Sequence, residues 1–162
     1  MTIIGIDNGV TGTIGVLGDT TQFVKTPVFN DNDYTKKPSK LKRVAIDTLI
    51  RFLQPKGRNA IAYIERPMVN PRSNPKAVKS AIRALEATCI ALEMLGIPYH
   101  FIDSKAWQAH FFGANIAKDD LKEASRVVGI NLYPEHGELI QRHGDADGLL
   151  IARYAKEVLC TR

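Results

Sequence analysis

This 162-residue chain has little cysteine and no long apolar run. Its two cysteines, Cys89 and Cys160, are too few and too far apart in sequence for a disulfide framework or a zinc site. No apolar stretch approaches the ~20 residues that a membrane-spanning helix needs. The N-terminus lacks the basic region and the small-residue cleavage site of a secretory signal. We therefore expect a protein of the reducing cytoplasm that has no membrane partner.

Several motifs of common enzyme classes are also missing. The glycine patterns at residues 9–12 and 12–15 do not open a helix after a strand, so a dinucleotide site is not supported. No Ser/His/Asp or Cys/His set stands in a recognisable motif. Trp107 is the only tryptophan, and a core anchor is favoured over base stacking for it. Tyr34, Phe111 and Phe112 are likewise interpreted as packing residues.

The length and composition predict a single domain over residues 1–162. Hydrophobic residues make up 44% and charged residues 24%, which is typical of a globular protein. Hydrophobic patterns predict strands at 3–6, 13–17, 22–25, 61–65 and 98–102, and helices at 39–53, 75–95, 103–112, 118–128 and 145–159. Residues 26–38 and 67–75 are expected to be loops. This order predicts an α/β fold whose mixed sheet has three antiparallel strands, then parallel strands, flanked by helices.

Positive charge is in excess and is clustered. The net charge is +5, and the sequence pI is near 9.3. Such clusters are usually solvated helix faces, but these flank acidic strand ends and would suit a phosphodiester backbone. The cations that we expect to contact DNA are Lys36, Lys37, Lys40, Arg66, Arg72, Lys76 and Lys79.

Four acids stand where acids are unexpected. Asp7 ends an apolar run before the turn-forming Asn8-Gly9, and Glu65 closes a second apolar run. Asp145 and Asp147 stand at the start of the last helical pattern. Because a lone buried carboxylate is costly, several in such positions suggest convergence on a cation. Carboxylates with few His or Cys favour magnesium or manganese.

Each acid also has an ordinary structural interpretation. Asp7 could be a turn residue, and Glu65 could pair with the neighbouring Arg66. Asp147 could be stabilised by the dipole of its helix, and Asp145 could be a helix cap.

Three motifs in this order resemble the RuvC family of Holliday junction resolvases, which belongs to the ribonuclease H-like superfamily. Residues 5–9 (Gly-Ile-Asp-Asn-Gly) resemble its first-strand Gly-Ile-Asp-Pro-Gly motif. Residues 63–65 resemble its second motif, a Glu at a strand end, and residues 147–152 resemble its C-terminal Asp-Ala-Leu-Ala-Ile-Ala helix. The motifs span nearly the whole chain, and its compact length looks most like resolvases carried by bacteriophages, which act in the bacterial host cytoplasm.

The resemblance implies a crossover junction endodeoxyribonuclease that cleaves four-way and other branched DNA. It implies catalysis by Asp7, Glu65, Asp145 and Asp147, two Mg²⁺ ions per site with Mn²⁺ as a substitute, and a homodimer. The apolar positions of helix 75–95 make it the candidate dimer interface. A related nuclease acting on flaps, RNA or RNA–DNA hybrids is an alternative, as is a non-catalytic DNA-binding homologue.

The fourth metal ligand is the main departure from the family pattern. Relatives have an Asp or His three residues before the helix Asp, where this chain has Gly144. His143 shares a face with Asp147 if the helix already runs through this turn. Asp145 can turn inward if residues 143–146 form a loop, and magnesium prefers its carboxylate. We therefore expect Asp145, with His143 as the alternative.

Overall fold

The computed structural model describes residues 1–34, 36–57, 59–67 and 74–159. Its main sheet contains the strands β1 (Thr2–Ile6), β2 (Thr13–Leu17), β3 (Thr21–Lys25), β6 (Ala60–Glu65) and β7 (Tyr99–Ile102). Their order in the sheet is β3-β2-β1-β6-β7. Strands β1, β2 and β3 are antiparallel, whereas β6 and β7 join parallel to β1. The predicted mixed sheet is confirmed.

Six α-helices flank this sheet in the described residues. Their bounds are α1 (Ile46–Leu53), α2 (Pro75–Leu95), α3 (Ser104–Phe112), α4 (Leu121–Leu132), α5 (Gly137–His143) and α6 (Asp147–Tyr154). Helix α2 begins and ends as its sequence predicts, because the Asn74 side chain accepts a hydrogen bond from the Lys76 N–H and Gly96 adopts a left-handed conformation with φ of 63°. Helix α5 was not predicted from the sequence.

The structure contradicts two predictions, the loop at 26–38 and the helix that was expected to begin at residue 39. Residues 26–53 contain a second, two-stranded antiparallel sheet of β4 (Val28–Asn32) and β5 (Lys40–Val44), and α1 starts only after it. Cross-strand pairing overrides the helical spacing here. Arg43 forms an ion pair with Asp31 at 2.9 Å, and the Asp33 carboxylate accepts hydrogen bonds from the N–H and hydroxyl of Ser39.

Two apolar layers cover the faces of the main sheet. One contains residues of α1 and α2, including Leu49, Leu53 and Leu92. The other contains α6 and its neighbours, and the Trp107 ring is buried there as predicted. No helix in the described ranges is long and apolar enough to cross a membrane.

Helix α6 lies directly on β1 and β2. A Cβ added at Gly15 would stand 2.5 Å from the Leu149 Cα, and one added at Gly148 would stand 2.7 Å from the Gly15 nitrogen. Only glycine at both positions therefore permits this separation, which explains a helix-weakening glycine near the start of α6. The close contact holds the first turn of α6 beside the end of β1.

Candidate active site at the carboxyl ends of β1 and β6

Asp7 is positioned by a bond network centred on Thr13. The Asp7 N–H donates to the Thr13 carbonyl oxygen at 3.0 Å, immediately after β1 ends. The fully buried Thr13 hydroxyl accepts a hydrogen bond from the Gly148 N–H, also at 3.0 Å. One residue of β2 thus fixes both the backbone of Asp7 and the first turn of α6.

Glu65 ends β6, whose parallel pairing with β1 brings the two strand ends side by side, with Ile64 opposite Ile6. Its Oε2 accepts a hydrogen bond of 2.8 Å from the Trp107 indole nitrogen. The expected alternative, a local pair between Glu65 and Arg66, is not what the structure shows, because Arg66 pairs with Asp103 at 3.3 Å. Glu65 is therefore held by α3 rather than by its neighbour.

Asp147 is the first residue of α6, and its carboxylate is anchored by α4. The buried Ser125 hydroxyl donates to Asp147 Oδ1 and accepts a hydrogen bond of 3.0 Å from the Ala146 N–H. Ser125 therefore fixes the backbone before Asp147 as well as one oxygen of its side chain.

Asp145 and His143 both lie in the turn between α5 and α6. Helix α5 ends at His143, and Gly144 takes a left-handed conformation with φ of 101° that turns the chain. Asp145 is 8% exposed, and Ala146 rather than Asp145 is the N-cap of α6. Asp145 Oδ1 lies 3.5 Å from His143 Nε2 and has no hydrogen-bond partner within the described part of the chain. Asp145 is thus buried beside the other acids without serving as a cap.

The electrostatics show that the four carboxylates act on one another. Burial raises the pKa of Asp7 to about 7, with further increases from Glu65 and Asp145. Burial likewise raises the pKa of Asp147 to about 7, and Asp145 and Asp7 add to it. For Glu65, burial raises the pKa to about 7 against the opposing hydrogen bond from Trp107. The predicted acids therefore converge, and their negative charges disfavour one another.

The donor chemistry of this cluster fits a hard divalent cation. Across the described ranges, no three His, Cys, Asp or Glu side chains are already arranged as a metal-binding group. The fit instead rests on the oxygen donors of four mutually repelling carboxylates and on the buried Oδ1 of Asp145, which accepts no hydrogen bond from the described residues. A bound cation would relieve this repulsion and occupy that oxygen.

Three lysines that the sequence did not single out lie near the carboxylates. Lys122 Nζ lies 3.9 Å from Asp145 Oδ2 and lowers the pKa of Asp7 and Asp147. A cleft of about 560 Å³ beside Glu65 is lined by Lys105 and Lys118, among others. No sequence signal distinguishes these lysines from surface lysines, since they lie in ordinary helical contexts. Together they could contact the phosphate of a bound polyanion.

The cations predicted to bind DNA lie in three places. Lys40, Lys76 and Lys79 line one cleft between the β4–β5 hairpin and α2. Lys36 and Lys37 are exposed in the turn of this hairpin. Arg66 is exposed next to Glu65, whereas Arg72 lies outside the described residues.

The fold is that of RuvC. Two solved structures of Thermus thermophilus RuvC are similar to this chain, one of them in complex with a Holliday junction substrate. The first has a TM-score of 0.53 and 16% sequence identity, with 96% of each chain covered. The complex has a TM-score of 0.55 and 17% identity, with 96% of this chain and 95% of that chain covered. No protein-family model and no curated protein sequence matches the chain.

Proposed function

We propose that this protein is a metal-dependent endonuclease that cleaves branched DNA, with four-way junctions as the principal substrate. The observation that carries the proposal is the convergence of Asp7, Glu65, Asp145 and Asp147 from β1, β6 and the start of α6. The fold similarity to RuvC supports the choice of nuclease chemistry, since one of the solved RuvC structures contains a Holliday junction substrate.

The four carboxylates would hold Mg²⁺, with Mn²⁺ as a substitute. Two bound ions would supply activation of water and stabilisation of the leaving oxygen in phosphodiester hydrolysis. The chain's own contribution is positioning. Trp107 and Ser125 fix the carboxylates of Glu65 and Asp147 through hydrogen bonds, so these two acids are oriented before DNA binds. Thr13 fixes the backbone of Asp7.

The lysines near the acids would position the substrate. Lys105 and Lys118 line the cleft beside Glu65, and their ammonium groups would contact phosphates of the bound strand. Lys122 offsets part of the carboxylate charge, which reduces the repulsion that a polyanion meets at this site.

We further propose that the protein acts as a homodimer, because a four-way junction offers two symmetry-related strands to two identical sites. Helix α2 supports this proposal, since Met94 is 69% exposed on it. Light scattering of the wild type and of Met94→Glu would test this part, and a monomeric wild type would contradict it.

A cleavage assay on a panel of substrates tests the function. Synthetic four-way junctions, flaps, RNA–DNA hybrids and linear duplexes are incubated with and without Mg²⁺, with Asp7→Asn as the negative control. We expect junction cleavage that requires Mg²⁺ and is absent in Asp7→Asn. Faster cleavage of hybrids or flaps would identify one of these, rather than the junction, as the principal substrate. Junction binding without any cleavage would show that the protein is a non-catalytic homologue.

A further inference from the structure

Two adjoining cavities lie between the β4–β5 hairpin and helix α2. One, of about 280 Å³, is lined by Val10 and Arg43 among others, and the second, of about 530 Å³, is lined by Tyr34 among others. Ser80 and Arg83 line both cavities, which therefore adjoin each other along α2 and are treated together as one groove. We call it the hairpin groove.

One end of the hairpin groove reaches the turn that follows Asp7. Val10 belongs to the turn that follows Asp7, and it lines the groove. In the same turn, the Asn8 side-chain amide donates to the Ala81 carbonyl oxygen of α2 at 3.2 Å. This bond fixes the part of α2 that carries Arg83 next to the acidic strand end. A chain bound in the groove would thus lead directly to the candidate active site.

The charge of the groove suits a polyanion. The cations that line it are Lys40, Lys42, Arg43, Lys76, Lys79 and Arg83. Two acids, Asp33 and Glu86, also line it, and the Asp33 carboxylate already accepts hydrogen bonds from Ser39. The positive charges come from both the hairpin and the helix, so a backbone of phosphates would meet cations on both walls.

Tyr34 marks the other end of the groove. It is 83% exposed, which contradicts its interpretation as a packing residue. Its hydroxyl accepts a hydrogen bond of 3.1 Å from Arg43, so the ring is oriented although it remains exposed. An exposed aromatic ring at the end of a basic groove is the combination with which proteins bind single-stranded nucleic acids.

We propose that the hairpin groove holds one unpaired DNA strand that leads away from the carboxylate cluster and stacks a base on Tyr34. Cations on both walls and one exposed ring suit a single strand, because its phosphates can follow the cations while an unpaired base stacks on the ring. The proposal rests on the proposed function for the identity of the nucleic acid. The groove proposal narrows the substrate to branched DNA in which one strand is unpaired beside the scissile phosphate.

Fluorescence anisotropy with a labelled thymine oligonucleotide, in chelator to prevent cleavage, tests the groove. We expect Tyr34→Ala to weaken binding about tenfold, because one base loses its stacking partner, and Tyr34→Phe to bind nearly as well as the wild type. Phe101→Ala is the matched control, since Phe101 is 39% exposed on β7 and lies outside the groove. Thermal melting confirms that each variant is folded, as expected for such exposed positions.

The comparison is repeated with two junctions, one fully paired and one with an unpaired segment at its centre. The wild type should prefer the unpaired form, and Tyr34→Ala should lose this preference. Equal oligonucleotide affinity of Tyr34→Ala and the wild type, or an equal loss in Phe101→Ala, would overturn the proposal. Because these measurements need no cleavage, a protein that cleaves nothing but binds single strands through Tyr34 would refute the proposed function alone.

Discussion

The Trp107 indole N–H donates to Oε2 of Glu65 across 2.8 Å, and the Trp107 ring is buried against Phe112 with centroids 5.8 Å apart. The only tryptophan of the chain therefore combines two tasks that could be separated by mutation. Its ring fills the core beneath α6. Its N–H fixes one oxygen of Glu65 and offsets part of the increase that burial causes in the pKa of that carboxyl.

Trp107→Phe should separate these tasks, because phenylalanine retains an aromatic ring and lacks the N–H. We expect cleavage to fall about 10- to 100-fold, as is typical when a residue that orients a metal ligand is changed. Junction affinity should be unchanged, and a higher Mg²⁺ concentration should restore part of the activity. Phe112→Leu, a change to the same packing contact, is the control. An equal loss in both variants would assign the effect of Trp107→Phe to packing.

The amide variants Asp7→Asn, Glu65→Gln and Asp147→Asn should abolish cleavage while folding and junction binding persist. An amide keeps the shape of the side chain but loses the negative charge that holds a divalent cation. Cleavage and anisotropy are measured on the same junction. Turnover close to that of the wild type in any variant would remove that residue from the site.

The metal-free protein should lose stability as the pH rises. The pKa of Asp7 and Asp147 is raised to about 7 in the folded chain, whereas an unfolded Asp titrates near 3.9. Between about pH 4 and 7 the folded chain therefore binds more protons than the unfolded chain, so the free energy of unfolding falls through this window. Added Mg²⁺ should then raise the Tm more at pH 8 than at pH 5.

The double variant Asp7→Asn/Asp147→Asn is the control for this effect, because it removes two of the groups that titrate there. Thermal melting in chelator should show that the variant gains stability relative to the wild type from about pH 4 to 7. A difference in Tm that does not change with pH would contradict the burial of these charges.

The fourth ligand can be identified by comparing Asp145→Asn with His143→Ala. We expect Asp145→Asn to be the more severe, since Asp145 has a buried oxygen with no hydrogen-bond partner in the described ranges and magnesium prefers carboxylate oxygen. His143, 3.5 Å from Asp145, would then orient it. Cleavage is measured in Mg²⁺ and in Mn²⁺, which tolerates nitrogen better. A severe loss in His143→Ala with a nearly active Asp145→Asn would reverse this assignment.

The salt dependence of junction binding should show which basic residues neutralise phosphates of the DNA. Replacing Arg72, Lys76 and Lys79 together by Ala should lower the affinity and flatten the slope of log affinity against log salt, by about 0.9 for each phosphate that is no longer neutralised. Lys156→Ala, at an exposed position just beyond the end of α6, should leave the slope unchanged. An unchanged slope in the triple variant would mean that these cations form an ordinary solvated surface.

Sequence patterns predicted the main sheet and the converging acids because both depend on local order. A buried strand that ends in an acid is visible as an apolar run followed by Asp7 or Glu65, and parallel strands bring such ends together. The β4–β5 hairpin was not predicted, because both strands are mostly exposed and show no clear alternation of buried and exposed residues. Its strands are stabilised by cross-strand pairs such as Asp31 with Arg43, which no local sequence pattern reveals.

The residues that hold the acids could not be predicted for a similar reason. Trp107 is 42 positions from Glu65, and Ser125 is 22 positions from Asp147. Thr13 reaches Gly148 across 135 positions. Each partner is ordinary in its own segment, and only the packing of the helices on the sheet brings it to a carboxylate.

The contact between Gly15 and Gly148 also limits how this protein could be controlled. A helix packed this closely on a strand resists sliding and rotation, because a shift would bring the two backbones into collision. We therefore expect Asp147 to keep its position relative to Asp7. Adjustment around a bound ion then falls to side-chain torsions and to the Gly144 turn. Under the proposed function, discrimination between DNA forms then depends on Tyr34 in the hairpin groove and on how readily the DNA strand bends to reach the acids.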